Sequence, residues 1–285
     1  MSLQLVNINK KYNKKIILKD ISLEFQENVI YGLLGNNGAG KSTLLNIINN
    51  RIFSTSGQVK LIDGQEVSEE EKLNQIYLMS EDNLYPTRNK IKTVFRLNEK
   101  FYGSFDWELA ERMAKAFDLN TKKRMDKLST GYRSIAKLIM ALCVPCNYIF
   151  LDEPVLGLDA NYRELFYDFL LETYQDRLRT FVISTHLIEE ISNLLEKVII
   201  IDGGQINANN SVEQLLKDAY ILNGPVHEIE PILSNVKVLD KQLLGGAMTA
   251  YVQGTLNKKE LGNVASSQMS LQEYFIKVTS RKKDL

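Results

Sequence analysis

The sequence predicts an α/β protein: a parallel, doubly wound sheet, a helical insertion, and a small α/β unit toward the C-terminal end. Three observations predict it. Residues 29–34 form a nearly all-apolar run that closes on a glycine-rich stretch and is followed by a helical pattern. Apolar runs return at 148–151 and 180–184, each followed by helical sequence. Between the first of these three runs and the second, segments 91–102 and 106–118 carry helical periodicity.

In chain order, residues 3–8 and 16–25 read as short strands with partial alternation. Residues 29–34 suit a central strand buried on both faces, and a helix is expected from residue 42. Residues 83–136, which hold the only tryptophan, Trp107, read as a helical subdomain inserted into the α/β core. Near residue 210 the pattern changes. Residues 211–219 predict a short helix, and 225–254 predict strand-like stretches with turn glycines at Gly245, Gly246 and Gly254. Residues 269–279 predict a final amphipathic helix. The expected organisation is therefore a domain over 1–214 and a small accessory α/β domain over 215–285.

Composition narrows the function classes. Of the 285 residues, 44% are apolar and 25% charged, ordinary for a globular chain. Lysine plus arginine equals aspartate plus glutamate, 35 each. A chain that holds nucleic acid by phosphate neutralisation usually shows a basic excess, so no nucleic-acid partner is expected. No apolar run approaches the roughly 20 residues that span a bilayer, and the first residues lack a signal-peptide layout. The sequence reads as cytosolic, with any membrane role supplied by a partner. Cys143 and Cys146 form a C-x-x-C pair. A redox pair or half a zinc site is one reading; two small buried residues closing an apolar helix is the other. The second is favoured, because no further Cys/His pair completes a zinc site.

The sharpest motif is Gly35, Asn36, Asn37, Gly38, Ala39, Gly40, Lys41, Ser42, which fits G-x-x-x-x-G-K-[ST]. Average composition gives a chance match odds of roughly one in a hundred, and the strand before and helix after lower them. Glycines let successive backbone N–H groups wrap a phosphate, and the helix N-terminus adds a positive dipole end. Lys41 is expected on the β- and γ-phosphates, Ser42 on Mg²⁺, and Thr43 at the α-phosphate. The fold class thus becomes a P-loop nucleotide hydrolase core. The second motif is an apolar strand ending in Asp152 and Glu153. Asp152 is expected to hold Mg²⁺ and Glu153 to polarise the attacking water, because phosphoryl transfer needs positioning and charge stabilisation above all.

The third motif is Leu128, Ser129, Thr130, Gly131, Tyr132. Taken alone, Ser129 reads as an N-capping serine. After a P-loop and just before the acidic strand, the segment resembles the signature of ABC (ATP-binding-cassette) ATPases, Leu-Ser-Gly-Gly-Gln. Ser129 and Gly131 match it, while Thr130 and Tyr132 depart. The resemblance covers about residues 1–210. It implies that the signature faces the γ-phosphate on a second subunit of a head-to-tail dimer. It further implies an adenine-stacking ring at Tyr12, a D-loop at Gly157-Leu158-Asp159 that communicates across the dimer, and a γ-phosphate-contacting histidine at His186. Glu81 stands where the family usually has a glutamine that senses Mg²⁺ and water and touches the transporter. A carboxylate there can ligate the metal, and it also adds negative charge beside the phosphates.

Residues 270–279 resemble the closing segment of bacterial drug- and antimicrobial-peptide-exporter ATPases. The resemblance as a whole implies an ATP- and Mg²⁺-dependent ATPase, a homodimer or a heterodimer with a second ABC ATPase. It would drive export through a separate transmembrane permease and be held at the inner face of the cell membrane. The alternative is a soluble, non-transport ABC ATPase; those usually carry two cassettes or a long coiled-coil insertion. A P-loop kinase would leave Ser129–Gly131 and His186 unexplained, and a purely structural nucleotide-binding module would leave Glu153 without a role.

Overall fold

The computed structural model describes residues 1–82, 84–257 and 261–279. Asn83, where the predicted helical subdomain begins, and residues 258–260 and 280–285 of the predicted accessory domain lie outside the described residues. The strands are β1 (Ser2–Tyr12), β2 (Lys15–Gln26), β3 (Ile30–Leu34), β4 (Ser56–Asp63), β5 (Gln65–Glu66), β6 (Ile76–Met79), β7 (Tyr148–Asp152), β8 (Thr180–Ser184), β9 (Lys197–Asp202), β10 (Gln205–Ser211), β11 (Ala219–Pro225), β12 (Lys237–Leu244), β13 (Ala247–Gln253) and β14 (Ala265–Gln268). The helices are α1 (Lys41–Ile48), α2 (Glu69–Asn74), α3 (Ile91–Tyr102), α4 (Trp107–Ala116), α5 (Thr130–Cys143), α6 (Ala160–Asp176), α7 (Ile188–Ile191), α8 (Val212–Leu216), α9 (Val226–Leu233) and α10 (Leu271–Thr279).

The central sheet has six strands in the order β10-β9-β3-β8-β7-β6. All pair in parallel except β10, which runs antiparallel along the β9 edge. Every residue of β3, β6, β7 and β8 is buried. Burial on both faces is why these strands read as continuous apolar runs and not as alternation. One consequence decides the site. Because β8 lies between β3 and β7, the segments leaving these three strands emerge side by side at the carboxyl edge of the sheet, where open α/β sheets bind ligands.

A second sheet, β2-β1-β4-β5, is antiparallel throughout and covers one face together with α1. Leu3, Leu5, Phe25, Leu44 and Phe150 pack between the layers. Its first two strands extend beyond the predicted 3–8 and 16–25, because register shifts interrupt the alternation. One shift lies between Leu5 and Ile8, where Asn7 takes φ 48°. The other face carries α3 to α6, packed through Phe95, Met113, Phe117, Ile139 and Phe166.

The C-terminal sheet, β12-β13-β11-β14, is antiparallel. The strand-like reading of 225–254 needs correction at its start, where the chain forms α9. Val226, Ile229 and Ile232 follow helical spacing, but Pro231 inside that turn argues against a helix; burial of Ile229 and Ile232 against the sheet overrides it. The division at 214/215 falls inside α8. Leu215, Ala219, Met269, Leu271 and Tyr274 belong to the same buried cluster as the helical subdomain, so α10 returns to the catalytic core. Among the described residues no helix is long and apolar enough to cross a membrane. Cys143 and Cys146 are buried free thiols at and just beyond the end of α5, as the bland reading expects.

Candidate nucleotide-binding site

The loop from β3 to α1 is pressed onto its neighbours so closely that only glycine fits at two positions. A Cβ on Gly35 would meet Ile201 O at 2.5 Å; one on Gly40, at φ 110°, would meet a Leu18 methyl at 2.6 Å. The loop turns on Ala39 N–H donating to Asn36 O, 3.0 Å. Helix α1 then starts with Gly40 at its N-cap, no side chain capping it and no acid in its first turn. Its opening N–H groups are therefore left to an external acceptor, with the positive end of the helix dipole behind them.

Around this end lies a cavity of about 380 Å³. Gly38, Gly40, Lys41, Ser42 and Thr43 line one side; Glu81, Asp152 and Glu153 line the other, with Lys15 and Ile17 of β2 at the rim. Lys41 is 8% exposed and donates from Nζ to Gly35 O at 2.6 Å. Burial pushes its pKa below the ordinary lysine value, with the nearby charges of Glu153 and Asp152 acting in the opposite direction. Asp152 is 7% exposed at the end of β7.

Glu153 takes φ 48°, left-handed backbone that costs a non-glycine residue about 1–3 kcal/mol. Its N–H donates to Ser184 O at 2.8 Å, which ties it to β8. His186, two residues past the end of β8, brings Nδ1 to 2.9 Å from Glu153 Oε2.

The arrangement fits a nucleotide triphosphate: glycine-shaped walls, uncapped N–H groups and a buried ammonium converge on one side of the cavity. It also fits Mg²⁺, which takes oxygen donors and retains water or phosphate oxygens in its shell; Ser42, Glu81 and Asp152 supply such oxygens. Among the described residues no group of three or more His, Cys, Asp or Glu is placed to hold a metal alone, so phosphate oxygens would complete the set.

The structure thus brings Asn37, Gly38, Gly40–Thr43, Glu81, Asp152 and Glu153 to one cavity, with Gly35 shaping its loop and His186 on Glu153. Other predicted residues lie apart. Tyr12 is 49% exposed at the β1–β2 turn, under Lys10 Nζ at 4.7 Å, and does not line the cavity. Ser129 caps α5, its Oγ accepting from Tyr132 N–H at 3.3 Å. Thr130 lines a second cavity of about 240 Å³ that shares Glu81, Asp152 and Glu153 with the first. A Cβ on Gly131 would meet Gly157 O at 3.0 Å, so the start of α5 rests on its own D-loop segment. Asp159 caps α6, accepting from Tyr162 N–H at 3.0 Å.

Sequence reasoning missed two contributors, Ser184 and Lys137, and one contact made by Asn36, a residue it had already placed in the phosphate loop. Ser184 anchors Glu153 through a backbone carbonyl, which any residue type supplies. Asn36 donates from Nδ2 to Thr279 O at 3.3 Å, so the end of α10 touches the phosphate loop from 243 positions away. Lys137 is the only charge in the apolar stretch 135–144, and that lone charge was a usable signal.

Comparison with known proteins agrees with this geometry. The ABC transporter family model matches residues 18–156. An uncharacterized ABC transporter ATP-binding protein of Methanocaldococcus jannaschii, MJ1023, is 30% identical over 247 residues, spanning 83% of this chain and 85% of the relative. The chain belongs to the ABC transporter ATP-binding family. Two further relatives differ in transport direction. The petrobactin import ATP-binding protein YclP of Bacillus subtilis is 27% identical, covering 84% of this chain and 96% of the relative. The Nod factor export ATP-binding protein I of Cupriavidus metallidurans is 25% identical and covers 98% of both chains. Among solved structures, a dimeric post-hydrolysis state of the ATP-binding cassette MJ0796 bound to ADP and Pi is 25% identical, with a TM-score of 0.62, covering 74% of this chain and 98% of that one. This ABC ATPase binds ATP and hydrolyses it to ADP and phosphate.

Proposed function

We propose that this ABC ATPase is the motor of a bacterial exporter, one of two ATPase subunits attached to a separate transmembrane permease at the cytoplasmic face of the membrane. The observation that carries the reading is the single cavity shared by the uncapped start of α1 and the acids Asp152 and Glu153. Lys41 leaves Gly35 O for the β- and γ-phosphate oxygens of ATP. Ser42 and Asp152 hold Mg²⁺, with Glu81 on the same side; the metal, when bound, neutralises charge on the phosphate oxygens. Glu153 orients and polarises the attacking water, with its carboxylate held by His186. Tyr12 stacks on adenine beyond the cavity.

Ser129–Gly131 lie outside the P-loop cavity of their own chain, which supports a site completed by a second subunit, identical or related. Export is supported by residues 270–279, by the threonine in the signature, and by the full-length match to the Nod factor exporter ATPase. Permease docking is supported by a groove of about 480 Å³ between β6 and α3, lined by Arg51, Leu84, Tyr85 and Phe101. Leu84 and Phe101 are 60% and 73% exposed there, just past Glu81.

Glu153→Gln tests the reading. The variant should bind ATP and accumulate as an ATP-bound dimer in gel filtration, while phosphate release falls by roughly two to four orders of magnitude. Near-normal turnover would remove Glu153 from the catalytic role.

A further inference from the structure

The loop that carries Glu81 is gripped from two sides by cations outside the catalytic set. Lys137, two turns into α5, is 5% exposed. Its Nζ donates to Ser80 O at 3.0 Å, Glu81 O at 2.7 Å and Asp82 O at 2.9 Å. Three acceptors use every N–H of an ammonium. Burial lowers the Lys137 pKa from the ordinary lysine value, so these bonds offset a real desolvation cost. From the other side Arg51, just after α1, donates to Leu78 O and to Ser80 Oγ, both at 2.8 Å.

The three carbonyls are consecutive, and this makes the contact more than adhesion. The Ser80 carbonyl belongs to the peptide plane before the Glu81 Cα, and the Glu81 carbonyl to the plane after it. Fixing both planes fixes the backbone dihedrals of Glu81 and so the direction in which its side chain leaves the chain. Glu81 lines both the phosphate-loop cavity and the one beside the start of α5. Lys137 lies seven residues beyond Thr130 on one continuous helix, a rise of about 10 Å. A shift at the start of α5 is therefore carried through a rigid element to the Glu81 loop.

We propose that Lys137 is a positioning residue that couples the signature helix to Glu81 and sets how closely the Glu81 carboxylate approaches the metal and γ-phosphate. The inference rests on the placement of Glu81 beside Mg²⁺. The ammonium holds main-chain oxygens, so the carboxylate itself stays free to act in the cavity.

The test is the metal dependence of nucleotide binding, measured by calorimetry on the full chain with a non-hydrolysable ATP analogue in Mg²⁺ and in EDTA. The ratio of the two dissociation constants is compared across wild type, Glu81→Ala, Lys137→Met, Lys137→Gln and the Glu81→Ala/Lys137→Met double variant. We expect Glu81→Ala and Lys137→Met each to move the ratio by at least about threefold, as coupled neighbours do. Lys137→Gln, which keeps two donors, should fall between Lys137→Met and wild type, and the double variant should match Glu81→Ala. If Glu81→Ala moves the ratio but Lys137→Met does not, or if the two effects multiply in the double variant, the coupling is wrong while the Glu81 reading stands. If Glu81→Ala leaves the ratio at its wild-type value, both fall. Should Lys137→Met not fold, Lys137→Gln with and without Glu81→Ala decides by the same comparison.

Discussion

Helices α1 and α5 both begin at segments proposed to meet phosphate, yet the two starts are built differently. α1 begins on Gly40, with no capping side chain and a lysine inside its first turn. α5 begins on Ser129, whose own Oγ accepts from Tyr132 N–H, and its first residues rest on Gly157 of the same chain. An uncapped helix start keeps its donors for an anion. A capped one has given a donor to its own side chain and gains an anion only by exchange. One chain therefore presents an open phosphate cradle at α1 and a satisfied surface at α5, which under the proposed dimer would become a phosphate contact only when a second subunit supplies the phosphate.

Lys41→Ala is the strongest challenge to that comparison. Loss of a charged donor on phosphate oxygens should cost about 1.5–3 kcal/mol, which is roughly 10- to 150-fold in ATP affinity; calorimetry on the single subunit reads it. A change below about twofold would show that α1 does not carry the nucleotide. Gly131→Ala probes the other helix. Its added Cβ would lie 3.0 Å from Gly157 O, so α5 or the D-loop must shift. Single-subunit ATP affinity should hold within about twofold, while turnover under dimer-forming conditions drops at least about tenfold, as small misplacements of a catalytic donor do. Equal loss in both measurements would place the signature in its own chain's site.

Ser129→Ala sharpens the contrast further. Removing this cap should lower stability by about 1 kcal/mol in urea unfolding without changing single-subunit affinity. The smallest expected effect is at the far end of α5. Burial pushes the Cys146 thiol up to about 12 and the Cys143 thiol up as well. Both should stay unlabelled by a maleimide in the native protein while reacting fully in urea, because the thiolate is the reacting species. Rapid native labelling would mean that this end of α5 is not anchored in the core.

Much of the site was legible where its chemistry is local in the chain. Gly35 to Thr43, and Asp152 with Glu153, are contiguous and follow strands recognisable from burial on both faces. Residues acting through distant partners were not legible. Lys137 serves carbonyls 55 to 57 positions away, and Asn36 meets the end of α10. Asp159 was expected to work across a dimer, and in this chain it also caps α6. Helix α9 was hidden by Pro231, because local propensity argued one way and burial of Ile229 and Ile232 the other.

By itself the sequence determined which backbone donors would be left open and which acids would stand at a strand end. Both follow from residue type at neighbouring positions: glycine where a side chain would clash, apolar residues where both sheet faces are covered. Only the tertiary structure decided that β8 runs between β3 and β7. That order places His186 on Glu153 and lets the Ser184 carbonyl accept from Glu153 N–H. Strand order is a competition among long-range burials that no local pattern encodes, and the shared cavity of Lys41, Glu81, Asp152 and Glu153 exists because of it.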